Sequence, residues 1–294
     1  MRIAVFSTCV VDAMFPGAAV ATVRVLERLG HRVEVPTGQA CCGQMHVNSG
    51  YGPEAIGVIR NHVRTFAPVL EGRWDAIVAP SGSCVGSIRH QQEWTARRHG
   101  EQGLADDAAA VAEHTYELSQ LLVDVLGVTD VGARFEHTVT YHPTCHSMRI
   151  LRVGDRPLQL LRAVDGLTLL DLPDSDQCCG FGGTFALKNS DTSGAMVTDK
   201  AAAVASTGAQ VLTAGDWSCL MNIDGALRRS GASTRAAHLA EVLASTREHP
   251  WRPRPDPRRG RGGRASGPAG EPGPARRVDP VRPTAAAAPE ARTR

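Results

Sequence analysis

Aromatic residues make up only 4% of this 294-residue chain, while hydrophobic residues total 42%, so the core must be built mainly from aliphatic side chains and alanine. Long apolar runs are missing. No stretch approaches the roughly 18 residues that a membrane-spanning helix needs. The opening MRIAVFSTC has one arginine and a four-residue apolar run, too short for a signal-peptide centre. These absences predict a soluble cytoplasmic protein whose cysteines stay reduced or bind metal rather than form disulfides. A dinucleotide fingerprint is lacking too. GFGG (180–183) is followed by Phe185 where G-x-G-x-x-G requires its last glycine, and nothing else reads as a flavin or nicotinamide site. No Ser-His-Asp arrangement can be assigned. The body of the chain also lacks a net positive charge. The stretch 252–294 holds 11 arginines against four acidic residues, a net +7, which leaves −5 on the rest of a chain whose total is +2. A mildly acidic body argues against a nucleic-acid partner.

What is present is a repeat. The eight cysteines fall at 9, 41, 42 and 84, and again at 145, 178, 179 and 219. Corresponding positions differ by 136, 137, 137 and 135, and every cysteine belongs to the pattern. PSGSC (80–84) aligns with GDWSC (215–219), which shares the serine before the cysteine.

Each half alternates strands and helices. IAVFS (3–7), HRVEVP (31–36) and WDAIVAP (74–80) read as strands, as do TVTY (138–141), LTLLDLP (167–173) and AQVLTAG (209–215). Helical spacing runs through 16–30, 52–70 and 116–127 in the first half, and through 156–166, 192–208 and 234–244 in the second. The expected fold is α/β: two tandem pseudo-symmetric domains with parallel sheets, 1–128 and 129–246. Residues 247–294, dense in Pro, Gly and Arg, read as a disordered tail.

Sites in parallel α/β sheets lie at the carboxyl ends of strands. Cys9 and Cys145 each follow one strand, Cys84 and Cys219 another, and the Cys41-Cys42 and Cys178-Cys179 pairs a third. Four thiols per half are therefore expected at one sheet edge. Helix N-termini there favour thiolate. Gly43, Gly180, Gly182 and Gly183 would let backbone N–H groups approach sulfur. A disulfide between adjacent cysteines would close a strained ring. Two neighbouring thiolates can instead bind different irons of one cluster. Four soft ligands also suit tetrahedral zinc, but the common C-x₂₋₄-C zinc spacing is absent. Iron–sulfur is the first expectation from the spacing, with zinc the alternative.

The stretches PTGQACCGQMHVNSGY (36–51), PSGSC (80–84), YHPTCHSMR (141–149), CCGFGGTFALKN (178–189) and DWSCLMNI (216–223) resemble the cysteine-rich CCG-domain proteins. These include the cysteine-rich component of heterodisulfide reductase and the glycolate oxidase iron–sulfur subunit, and the likeness is strongest to the lactate utilization protein A family. It covers about 1–245. It implies an iron–sulfur electron-transfer subunit of a complex oxidising L-lactate to pyruvate, with partner subunits that include a ferredoxin-like protein. It assigns the eight cysteines as ligands. The chain departs from the family repeat at Ser81 and Asp216, where the fuller motif has a fifth cysteine; the four thiolates left in each repeat suffice for a [4Fe–4S] cluster, up to two in the chain, or Asp216 could supply an oxygen ligand.

Other residues are weighed beside these. His46, His142 and His146 flank the cysteine loops and are expected to hydrogen-bond behind the ligands rather than bind metal. Ser81 and Asp216 are expected to be donors or acceptors near sulfur. Lys188 and Lys200 are expected on solvated helix faces. Two rival functions stand: a thiol–disulfide reductase cycling Cys41-Cys42 or Cys178-Cys179, and a non-enzymatic metal-binding sensor or scaffold.

Overall fold

A computed structural model describes residues 1–254. Residues 255–294, most of the expected tail, lie outside the described residues.

The described chain contains two four-stranded parallel sheets. The first is built from β1 (Arg2–Val5), β2 (Arg32–Glu34), β3 (Ala76–Ala79) and β4 (Thr115–Glu117), in the order β2-β1-β3-β4. The second is built from β5 (Thr138–Tyr141), β6 (Thr168–Leu170), β7 (Val211–Ala214) and β8 (Arg235–His238), in the order β6-β5-β7-β8. Their registers correspond: Ile3 faces Val33 and Ala76, and Val139 faces Leu169 and Val211. The cysteine repeat is thus a repeat of topology. The central strands β3 and β7 are wholly buried. That is why AIVA and VLTA are near-continuous apolar runs rather than alternating ones.

The fourth strand of each sheet departs from the sequence expectation, which placed 116–127 and 234–244 in helices. In each half a short strand comes first and runs straight into a helix. The helices begin at Leu118 and Leu239, with no Gly or Pro between strand and helix. Helical spacing therefore extends backward over the strand. The junction residues Glu117 and His238 cap those helices with their side chains. The helices Gly82–Ser87, Gln102–Glu113 and Trp217–Arg229 also form, although apolar spacing did not single them out.

The two sheets share one core. A single cluster joins Ile3, Val5 and Val78 of the first sheet to Val139, Tyr141 and Val211 of the second, with Leu26, Leu122, Leu160 and Leu243 from the helices between them. Each sheet's other face packs on its own cluster, around Phe66 and Ile77 in the first half and around Trp217 and Leu212 in the second. Met1–Pro253 accordingly form one compact unit. Residues 247–253 belong to that unit and not to a tail: the Trp251 ring lies 5.4 Å from Phe135 and 5.8 Å from His137. Composition alone could not show this, because one packed aromatic side chain outweighs its proline-rich neighbours. Among the described residues no helix is long and apolar enough to cross a membrane.

Candidate metal centre

In each sheet the chain reverses its direction of travel between the first and third strands, which opens a crevice at their carboxyl ends. The cysteines stand around it. Cys9 opens the helix Cys9–Met14 just beyond β1, and Cys145 opens Cys145–Arg149 just beyond β5. Cys84 and Cys219 each sit in the first turn of the helix after β3 or β7. The Cys-Cys pairs lie in the loops after β2 and β6. Thr8 and Thr144, immediately before Cys9 and Cys145, both have positive φ, 48° and 54°. That conformation is unfavourable for non-glycine residues, and its recurrence at matched positions marks a geometry held by its surroundings. Sequence pattern gave no sign of it.

The thiols of each half come together. Cys9 Sγ lies 3.6 Å from Cys41 Sγ, and Cys145 Sγ lies 3.5 Å from Cys178 Sγ. Cys42 and Cys179 link these pairs to Cys84 and Cys219 through further thiol contacts. The N–H groups of Gly43 and Gly180 each point at sulfur, 3.4 Å from Cys41 and Cys178. Both glycines have left-handed φ, 86° and 79°. Thiol donation holds Cys41 and Cys178 far below the ordinary thiol range. Cys41 accepts first from Cys42 and then from Cys9; Cys178 accepts first from Cys145 and then from Cys179. Cys9, Cys42, Cys145 and Cys179 are pushed up, chiefly by donating those same bonds. One amide from each half pins the loop: Gln92 Nε2 to the Cys42 carbonyl at 2.9 Å, and Asn222 Nδ2 to the Cys179 carbonyl at 2.8 Å. Four soft sulfur donors converging in each half fit a thiophilic metal or an iron–sulfur group.

All eight cysteines line a single cavity, which lies at the seam between the halves. Gln44 and Met45 wall it from one half, and Phe181, Gly182 and Gly183 from the other. The GFGG loop is therefore a wall of the cavity.

Ser81 and Asp216 meet across that seam. The Asp216 carboxylate accepts from Ser81 Oγ at 2.8 Å, from Ser83 N at 2.8 Å and from Ser83 Oγ at 2.9 Å. It thus caps a helix of the other half, while Ser81 Oγ accepts from Cys84 N. Burial raises the Asp216 pKa. Nearby Glu117 is buried as well and is pushed up to about 7 by desolvation, against the hydrogen bonds from Ser119 and Gln120 that lower it. Glu117 does not stand out in the sequence.

The histidines divide. His146 Nε2 lies 3.1 Å from Gln44 Nε2 across the seam, within hydrogen-bonding distance. His46 lies close enough to Cys41 to favour its thiolate, and its Nδ1 is buried without a partner. His142 departs from expectation: it is buried, and neither ring nitrogen has a hydrogen-bond partner among the described residues. Burial, and then Lys200, lower its pKa to about 4. Lys200 itself corrects another expectation. It is 1% exposed and its ammonium donates to the Asp174 carbonyl. Ser193, Val197, Lys200, Ala201 and Val204 form the inward stripe of helix Ser190–Ser206, so Lys200 faces the core rather than solvent. Lys188 is exposed, as expected, and lies over the Tyr51 ring.

Fold and site together define a duplicated cysteine-rich α/β protein with two matched thiol sets on one cavity. A family model described as a cysteine-rich domain, CCG, matches residues 3–89 and 139–224, one copy per half. Several relatives bear the name lactate utilization protein A. The one from Macrococcus caseolyticus is 43% identical, covering 83% of this chain and 96% of its own. The Oceanobacillus iheyensis protein is 42% identical over 84% of this chain and 98% of its own. The Geobacillus kaustophilus protein is 43% identical, with coverages of 83% and 98%. The chain belongs to the lactate utilization protein A family.

Proposed function

We propose that this chain is the iron–sulfur electron-transfer subunit of a complex that oxidises L-lactate to pyruvate. It acts in the cytoplasm with the other lactate-utilization subunits, a ferredoxin-like protein among them. The lactate role comes from the relatives' name. The observation that carries the chemistry is the pair of four-thiol sets, matched residue for residue, on one cavity.

An iron–sulfur cluster supplies one-electron transfer without bond breaking in the protein. The chain's own contribution is to hold and tune. The eight cysteines provide thiolate. Gly43 and Gly180 direct N–H dipoles at sulfur, which favours the reduced, more negative state. Gln92 and Asn222 fix the loops that carry the adjacent cysteines. The buried Lys200 ammonium offsets negative charge at the second set.

Iron and sulfide analysis of anaerobically purified protein, with EPR of its reduced form, tests this. Brown protein with stoichiometric iron and sulfide is expected. One observation favours a second reading. Sulfur contacts of 3.5 and 3.6 Å approach the edge of about 3.8 Å that a tetrahedron has at a zinc–sulfur distance of about 2.3 Å. Colourless, iron-free protein with stoichiometric zinc would decide for a structural metal and against electron transfer.

A further inference from the structure

We propose that His142 is a ligand at the second thiol set, a nitrogen donor with no counterpart at the first. The assignment rests on the metal-holding reading above. His142 lies directly after β5 and is 1% exposed. Leaving both buried ring nitrogens without partners is costly, and such groups in a folded protein call for a bound water, ion or catalytic role. Its surroundings favour an ion. One ring nitrogen of His142 and the sulfurs of Cys179 and Cys219 lie within 4.8 Å of one another, a grouping that could hold a metal ion. Imidazole is the commonest metal-binding side chain besides thiolate.

The internal repeat provides the control. The offset of 136 that carries Cys9 onto Cys145 carries Phe6 onto His142. Phe6 packs edge-on against His62 at 5.1 Å and Phe66 at 5.5 Å, so the first set meets hydrocarbon where the second meets imidazole. His62 is also buried with both ring nitrogens unpartnered, but its ring packs against Phe6 and Phe66 and joins no three-donor group among the described residues, which is what separates it from His142. Elsewhere the sets agree closely: the same 3.4 Å N–H···S contact from glycine, and a side-chain amide, Gln92 in one half and Asn222 in the other, on the carbonyl of the inner cysteine. A neutral nitrogen donor in place of an anionic thiolate raises a cluster's reduction potential. The second site is therefore the better electron acceptor of the two, which gives electrons a direction across the shared cavity.

The full chain, labelled with ¹⁵N only at histidine, purified anaerobically and reduced, is read by pulsed EPR. A histidine-nitrogen coupling of bonded magnitude is expected. It should vanish in His142→Phe, which copies the first half, and persist in His46→Gln and His146→Gln. One of two reduction potentials should fall in His142→Phe while the other stays in place. No histidine coupling in the unmutated protein overturns the assignment without recourse to any variant, as does a coupling that survives in His142→Phe. Zinc in place of iron defeats the electron-transfer reading alone. The zinc absorption edge then decides: a nitrogen at about 2.0–2.1 Å that is lost in His142→Phe supports the assignment, and an all-sulfur shell overturns it. Protein that binds no metal overturns both.

Discussion

Replacing Glu117 with glutamine should change how the stability of this protein depends on pH. Glu117 ends β4 and is 2% exposed. One carboxylate oxygen accepts from Ser119 N at 2.8 Å, from Ser119 Oγ and from Gln120 N at 3.3 Å. Burial outweighs those bonds and moves the carboxyl from 4.5 up to about 7. The folded chain thus binds this proton more tightly than the unfolded chain does. Below about pH 4.5 the group is protonated in both states and its contribution is fully present; that contribution is lost as pH rises through about 7. At 1.36 kcal/mol per pH unit the whole effect is about 3 kcal/mol, of which about 2 kcal/mol disappears between pH 5 and pH 8. Glutamine keeps a carbonyl acceptor and never ionises. Urea unfolding of both proteins at the two pH values, followed by circular dichroism, isolates Glu117 from other titrating groups through the difference between them. Glu117→Gln should gain about 2 kcal/mol on the unmutated chain when pH goes from 5 to 8. A difference that stays constant within about 0.5 kcal/mol would refute the argument, because it would mean that Glu117 is ionised throughout.

The paired glycines should respond unequally to alanine. A Cβ on Gly180 would lie 2.7 Å from the Ser193 carbonyl oxygen, whereas on Gly43 it would meet nothing nearer than 3.7 Å. Each substitution costs about 1–2 kcal/mol for the left-handed backbone, but only Gly180→Ala must also displace backbone. Metal-to-protein ratios should therefore fall in Gly180→Ala and hold in Gly43→Ala; equal loss in both would contradict the steric argument. Asp216→Ala leaves one buried donor, Ser81 Oγ, and two partly buried donors of Ser83 without their acceptor, which costs about 3 kcal/mol. The expected drop in Tm is about 6–12 °C. A change within about 2 °C would show that the contact across the seam contributes little to stability.

Much of the site was legible as spacing. Cysteines recur at an offset near 136, each after a strand, and strands precede sites in parallel sheets, so two sets of four thiols at sheet edges followed from chain order alone. The first three strands of each half could be read because each is set off from its neighbours, the first and third as largely buried runs and the second as a short, partly exposed edge stretch. The fourth could not. Thr115–Glu117 and Arg235–His238 are too short to show a period of their own and merge with the helices that follow.

The sequence by itself determined the duplication, the parallel α/β architecture and the identity of the thiols, because each of these is written in local periodicity or in separation along the chain. Tertiary structure decided what distant segments do to each other. It joined two thiol sets into one cavity, set Asp216 against Ser81 and Ser83 of the other half, and turned Lys200 inward. It also left His142 facing Cys179 and Cys219 where its counterpart Phe6 faces aromatic rings. A side chain's partner 135 residues away, and the charge that burial allows it to keep, depend on packing between elements, and no local pattern records that.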